Sequence, residues 1–148
     1  MSWTMTAEER EAFLADLHVG VLSVAAGEAR PPVAAPVWYT YDPGGLVSII
    51  TARESVKARL LRAEGRAALC VQTETPPYAY VTVEGRVVEM EDVDPDERLA
   101  QARRYLGREG GDHYIAANRD VDNLTIRISP ERWRTVDYGK VSGPPEGT

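Results

Sequence analysis

The alternation of residues 78–90 is the feature that most restricts the fold of this chain. Two sets of side chains alternate there, Val81, Val83, Gly85 and Val87 on one side and Thr82, Glu84, Arg86 and Val88 on the other. A period of two over this length is typical of a β-strand. A glycine inside such a strand indicates a bulge or a bend at Gly85. The chain is therefore expected to contain one long strand.

Other β-type runs surround this strand on both sides. They are Val19–Ala25, Val33–Tyr41, Leu46–Thr51, Arg66–Thr73 and Leu124–Ile128, the last interrupted by Ser129-Pro130 and resumed from Trp133 to Tyr138. The turn sequence Asp42-Pro-Gly-Gly45 separates the second and third of the chain's strands. Two β-type runs around such a turn predict a hairpin.

Three helices are predicted from their start signals. A capping box at Thr6 and Glu9 begins a helix over residues 7–17. Ser55 caps a helix over 56–64 that ends at Gly65, and Asp94-Pro95 begins one that runs to Leu106. Because the helices occur singly between groups of strands, a parallel doubly wound sheet is disfavoured.

The strand and helix order predicts a mainly β fold, a small six-stranded antiparallel barrel with flanking helices. Residues 19–90 are expected to supply at least five strands that close the barrel, with helix 55–64 outside it. One domain is predicted over residues 1–142, followed by a disordered tail at 143–148.

Composition excludes several classes of function. Cys70 is the only cysteine, read as a buried inert thiol, and there are two histidines, so neither a disulfide framework nor a metal centre is predicted. A net charge of −6 argues against a nucleic-acid partner. The chain has no apolar run of the roughly 18 residues that a membrane span needs. A cytoplasmic, metal-free protein with no membrane partner is predicted.

A basic segment gives the main chemical signal. Residues 51–66 contain five basic and two acidic residues, a net +3 in a chain whose total is −6. A strand ends at Thr51 and a helix begins at Ser55, so free backbone N–H groups and the helix dipole create an anion site. Lys57, in the first turn, can reach the same anion. A solvated helix face is the alternative interpretation of the charge cluster.

Aromatic residues give a second signal. They lie in three places: Trp38, Tyr39 and Tyr41 on the second strand, Tyr78 and Tyr80 at the start of the fifth, and Trp133 and Tyr138 near the C-terminus. Planar ligands stack on such rings. Packing in the core or in a dimer interface is the alternative.

Four segments together resemble the pyridoxamine-5′-phosphate-oxidase-like split β-barrel superfamily, whose members bind flavin or deazaflavin cofactors. The segments are His18–Val24, Arg30–Tyr39 with its Asp42-Pro43 turn, Thr51–Arg62, and Ala79–Arg86. The resemblance implies a six-stranded split β-barrel and a homodimer with two cofactors at its interface.

The same resemblance implies roles for individual residues. Lys57 matches the family's phosphate-binding lysine, with Thr51 and Ser55 beside it. Pro36, Val37, Trp38 and Tyr39 would run along the ring system, and Tyr80 would contact the cofactor from the fifth strand. Arg53 and Arg59 would meet a phosphodiester or polyglutamate tail. No catalytic side chain is predicted, because the cofactor carries the hydride chemistry.

The resemblance also implies which branch of the superfamily applies. Pyridoxamine phosphate oxidases carry a further arginine-bearing strand for which nothing after Lys140 is a match, so that activity is not expected. An F420-dependent oxidoreductase is predicted, which transfers a hydride between deazaflavin and a small conjugated substrate. The alternatives are an FMN-dependent oxidoreductase of the same fold, a non-catalytic protein that binds or sequesters a flavin or haem-like ligand, and a structural dimer module.

Overall fold

The computed structural model describes residues 2–140, so the tail predicted at 143–148 lies outside the described residues. Three α-helices and six strands follow one another in the order α1 (Ala7–Ala15), β1 (Gly20–Val24), β2 (Val33–Val37), β3 (Val47–Ala52), α2 (Val56–Glu64), β4 (Arg66–Gln72), β5 (Ala79–Asp92), α3 (Pro95–Ala117) and β6 (Asn123–Asp137). Within residues 2–140, no helix is both long and apolar enough to cross a membrane.

The six strands form one curled antiparallel sheet in the order β2-β1-β4-β5-β6-β3. Its two outer strands meet just beyond β2. There Thr40 and Ser48 exchange backbone hydrogen bonds, with N···O distances of 3.0 and 2.9 Å. The prediction of a six-stranded antiparallel split barrel with flanking helices is confirmed.

The predicted β2–β3 hairpin is wrong beyond that single bridge. The turn itself forms, since the Gly45 N–H donates to the Asp42 carbonyl at 2.8 Å. However, Pro43 holds its φ near −65°, whereas the turns that match strand twist need a positive φ at that position. The strands therefore diverge, and β3 pairs over its whole length with β6.

Closure of the barrel consequently needs the C-terminal strand. Five strands lie within residues 19–90, as predicted, but β6 stands between β5 and β3. The five strands within residues 19–90 therefore close the barrel only together with β6. Local patterns along the chain do not reveal a pairing between segments about 75 residues apart.

The long strands are continuous through irregular points. Ser129-Pro130 was expected to interrupt β6, but the strand continues through a bulge in which Glu131 is the extra residue opposite the step from Glu84 to Gly85. Proline is tolerated at a bulge, where no ladder donor is lost. The bulge predicted at Gly85 is thus present, although the additional residue belongs to β6.

Several element ends differ from the prediction. α1 ends at Ala15 and β2 at Val37, each earlier than expected. α3 instead continues past Leu106 to Ala117 through a kink at Gly107, whose φ of 78° and ψ of 172° are open to glycine but strained for other residues. Two helical halves of different direction therefore lie in this one segment.

The core fills the concave side of the sheet. Its fully buried side chains come from most of the strands and from α1 and α2, and include Leu14, Leu22, Ile49, Leu61, Leu69, Val81 and Ile126. α2 is held to the sheet by its buried Ala58 and Leu61. This anchoring fixes the position of the first turn of α2, where the predicted anion site lies.

Candidate functional site

A cavity of about 290 Å³ lies between the sheet, the first turn of α2 and α3. It is lined by Val19, Pro36, Val37, Trp38, Ile50, Thr51, Lys57, Arg98, Gln101, Ala102, Tyr114 and Asn123. Its walls therefore come from elements that are far apart in the sequence.

The α2 wall is built by the cap of that helix. The Ser55 hydroxyl oxygen accepts a hydrogen bond from the Ala58 N–H at 3.1 Å, and Thr51 Oγ1 lies 3.1 Å from Ser55 Oγ. These contacts join the end of β3 to the start of α2. Lys57 then projects into the cavity from the first helical turn. Free N–H groups, the helix dipole and a lysine amine together favour an anion.

The α3 wall presents Arg98, Gln101 and Ala102, which share one helix face because they are three and four residues apart. Arg98 is held in place by two asparagines. It donates to the Asn118 carbonyl at 2.9 Å. With the Asn123 amide oxygen turned toward it, Nε and Nη2 of Arg98 also donate to that oxygen at 3.2 Å each.

Trp38 forms a rigid aromatic part of the cavity. Its ring stacks on Tyr105, with centroids 5.0 Å apart and planes 6° from parallel, and it meets Tyr114 at 5.2 Å. The Tyr105 hydroxyl accepts from the Tyr39 N–H at 3.0 Å and lies 2.6 Å from the His18 carbonyl oxygen, to which it can donate. Burial raises the pKa of Tyr105, which keeps this hydroxyl protonated as a donor.

The electrostatics of the cavity favour an anionic ligand. Two cations, Lys57 and Arg98, line it, and no acidic residue of the described part of the chain does so. In the part of the chain that the structure describes, neither cation forms an ion pair. Gln101, 4% exposed, adds a buried amide donor that lacks a partner there. The cavity thus presents donors and needs a ligand with acceptors.

Five residues predicted for the site line this cavity: Pro36, Val37, Trp38, Thr51 and Lys57. Ser55 stands behind Thr51 as the helix cap. The structure therefore brings the second-strand segment and the start of α2 to one place.

Four other predicted residues lie away from this cavity. The Tyr39 side chain is fully buried in the core, where its hydroxyl donates to the Leu14 carbonyl at 2.6 Å. Arg59 is exposed on α2, and Tyr80 is half-buried on β5. Arg53 is ion-paired with Asp122 at 2.9 Å and with Asp92, and the hydrogen bonds that its guanidinium donates to these carboxylates raise its pKa.

The sequence reasoning missed the α3 wall and the start of β6. Arg98, Gln101, Tyr114 and Asn123 were not predicted as site residues. The one-turn spacing of Arg98 and Gln101 is the only local signal, and it does not say which surface that helix face covers. Tyr114 and Asn123 lie between Leu106 and Leu124, in a stretch for which the sequence analysis predicted no site residue.

Solved structures with the same fold include proteins of several descriptions. A conserved hypothetical protein, Rv2991 from Mycobacterium tuberculosis, aligns with a TM-score of 0.75 and 21% identity over 99% of this chain and 94% of that one. A protein described as F420 reductase aligns with a TM-score of 0.67 and 21% identity over 84% and 94%. An FAD-binding protein from Mesorhizobium loti aligns with a TM-score of 0.61 and 18% identity over 88% and 94%.

The sequence comparisons identify one family. No curated protein matches the chain. A sequence profile described as pyridoxamine 5′-phosphate oxidase matches residues 6–137, which include every strand and all three helices. The chain therefore belongs to the pyridoxamine 5′-phosphate oxidase family.

Proposed function

We propose that the cavity binds a flavin-type cofactor, with F420 as the preferred one. We further propose that the protein is an oxidoreductase that transfers a hydride between that cofactor and a small conjugated substrate. One observation carries the proposal: within residues 2–140, two cations that form no ion pair and a buried amide donor that has no partner line a cavity that also contains the fixed ring of Trp38. The family membership and the F420 reductase neighbour support it.

The residues present fit such a cofactor. Lys57 and the N–H groups of the first turn of α2 would hold its phosphate, with the hydroxyls of Thr51 and Ser55 beside them. The segment from Pro36 to Trp38 would lie along the ring system. Cofactor sites usually measure roughly 300–1,000 Å³, so a cavity of about 290 Å³ in one protomer is at the lower limit.

Each protein group has a defined task in this proposal. When bound, the cofactor supplies the hydride chemistry. Lys57 and α2 fix the anionic end, and Trp38, itself held by Tyr105, excludes water from one side. No side chain is assigned as acid or base.

We also propose a homodimer in which a second copy completes the cavity. The outward face of the sheet is apolar where Val21 pairs with Pro36 on one side and with Cys70 on the other. Val21 is 42% exposed, and Cys70, expected to be buried, is half-exposed. Pro36 belongs both to this face and to the cavity lining. A partner packed here would cover apolar surface and border the cofactor.

The dimer is expected to have twice the 16.3 kDa mass of the chain in light scattering at micromolar concentration. Val21→Glu, which puts a charge on the proposed interface, is expected to produce monomers. Val88→Glu is the control, because Val88 is exposed near the far end of β5. A monomeric wild-type protein contradicts the homodimer.

F420 is expected to bind more tightly than FMN at low salt, with the preference narrowing at high salt. Both ligands carry a phosphate, but F420 adds the carboxylates of its tail. Arg59 on α2 has no ion pair among the described residues and is free for them, whereas Arg53 is already engaged by Asp92 and Asp122. At 1 M salt the Debye length is about 3 Å, which screens this attraction. Titration of the apo protein with each cofactor at both salts tests the assignment.

FMN binding more tightly at both salts would replace the deazaflavin assignment by an FMN-dependent oxidoreductase. A carrier that only sequesters the cofactor is the other alternative, since among the described residues no aspartate, glutamate or histidine lines the cavity. Oxidation of pre-reduced cofactor in the presence of conjugated acceptors separates enzyme from carrier. A carrier binds the cofactor without accelerating its oxidation.

A further inference from the structure

Gln101 is a buried polar side chain on the α3 wall of the cavity. It is 4% exposed, it lines the cavity, and its Nε2 has no hydrogen-bond partner in residues 2–140. A buried donor without a partner is costly, so nearly all such groups in folded proteins are satisfied. A side chain that keeps this donor beside a cavity is arranged for an acceptor that arrives with a ligand.

The surroundings of Gln101 indicate which acceptor this is. The cationic groups for an anion are Lys57 at the start of α2 and Arg98, one turn before Gln101 on α3. A neutral amide donor is suited to a neutral acceptor, such as a carbonyl oxygen of a heteroaromatic ring. The planar Trp38 ring lines the same cavity and favours a planar ligand there.

We infer that Gln101 is a specificity-determining residue, whose Nε2 donates a hydrogen bond to a carbonyl oxygen on the ring of the flavin-type cofactor. The inference rests on the proposed function, and it separates recognition of the ring by α3 from recognition of the phosphate by Lys57. A ligand without this acceptor leaves the buried donor unpaired and is rejected, as sites built for a hydrogen bond reject analogues that lack it.

Two ligand pairs separate ring recognition from phosphate recognition. Each pair joins a cofactor to its phosphate-free ring compound: FMN with riboflavin, and F420 with its deazaflavin chromophore. Fluorescence titrations use the pair that the wild-type protein binds more tightly. Gln101→Met, similar in size but without a donor, is expected to lower the affinity for both members of the pair by about tenfold. Lys57→Ala is expected to lower the affinity only for the phosphate-bearing member.

Stability provides a readout that a structural role would not give. Because the Gln101→Met variant loses an unpaired buried donor, its apo form is expected to melt at the same temperature as the wild-type protein or higher. Gln101→Glu, which replaces the donor by an acceptor at nearly constant size, is also expected to lower the affinity for the ring compound. This second variant keeps the test valid if Gln101→Met does not fold.

The outcomes that overturn the inference differ from those that overturn the proposed function. Unchanged affinity of both variants for the ring compound overturns the role of Gln101 and leaves the cofactor site intact. A loss confined to the phosphate-bearing member also overturns it, because the amide then contacts the phosphate. A wild-type protein that binds neither cofactor refutes the proposed function itself.

Discussion

Replacement of Lys57 by alanine is expected to weaken binding of F420 or FMN by about 10- to 100-fold. A hydrogen bond to a charged group contributes roughly 1.5–3 kcal/mol, which corresponds to that change in affinity. Lys57 lines the cavity in the first turn of α2 and is engaged in no ion pair with any described residue, so its amine is free for the phosphate. Titration of the apo variant, followed by cofactor fluorescence, measures the effect.

Arg62→Ala is the matched control for this experiment. Arg62 is a cation in the last turn of the same helix, is exposed and is absent from the cavity lining. Its removal is expected to leave affinity nearly unchanged. Ser55→Ala should have a smaller effect on binding than Lys57→Ala, accompanied by a stability loss of about 1 kcal/mol from the missing cap. If the Lys57 and Arg62 variants both bind like the wild-type protein, the phosphate lies elsewhere.

Gly85→Ala is expected to destabilise the protein by about 3 kcal/mol or more. A Cβ atom at Gly85 would stand 2.0 Å from the Ser129 carbonyl oxygen and 2.9 Å from Cγ2 of Ile128. The nearest obstacle is backbone of the paired strand β6, which cannot move aside without disturbing the bulge at Glu131. Thermal unfolding should show a midpoint lowered by roughly 6–12 °C, at 2–4 °C per kcal/mol.

Glu84→Ala separates this clash from a general effect of substitutions in β5. Glu84 is the exposed neighbour of Gly85, and its one ion pair among residues 2–140, to Arg132, is long at 4.0 Å. Exposed pairs of this kind contribute little, so the control is expected to change stability by less than about 0.5 kcal/mol. A Gly85→Ala protein that melts within 2 °C of the wild-type protein would show that the two strands are not so close.

Local sequence signals predicted where the helices and strands lie better than they predicted which strands pair with each other. The caps at Thr6, Ser55 and Asp94 place the helix starts correctly, because a cap side chain accepts from a backbone N–H only two or three positions further along. The pairing of β3 with β6 depends instead on which apolar faces meet in three dimensions. The turn at Pro43 carried a local signal against a hairpin, since its ring excludes the twist-matched turn types.

The sequence predicted the second-strand and α2 walls of the candidate site but not its α3 wall. The α2 wall could be predicted because its hydroxyls, its helix start and its lysine are neighbours in the sequence, from Thr51 to Lys57. Arg98 and Gln101 line the cavity only because α3 folds back over the sheet. No periodicity within the chain indicates that placement.

The predicted aromatic segment shows that residues adjacent in the sequence do not all face the same site. Pro36, Val37, Trp38 and Tyr39 were predicted as one surface, yet successive side chains of an extended segment point to opposite faces. Trp38 lines the cavity, while Tyr39 is buried in the core with its hydroxyl bonded to Leu14. Whether Tyr80 contacts a cofactor stays a prediction, and in the proposed dimer it would act from the outward face of the sheet.

A crystal structure of the protein with bound F420, or with FMN if that ligand binds more tightly, tests the proposed site most directly. The phosphate is expected within roughly 2.7–3.2 Å of Nζ of Lys57. The ring is expected in the cavity beside Trp38, with a carbonyl oxygen at hydrogen-bond distance from Nε2 of Gln101. A cofactor bound outside this cavity, or bound in it with Lys57 turned to solvent, would contradict the assignment.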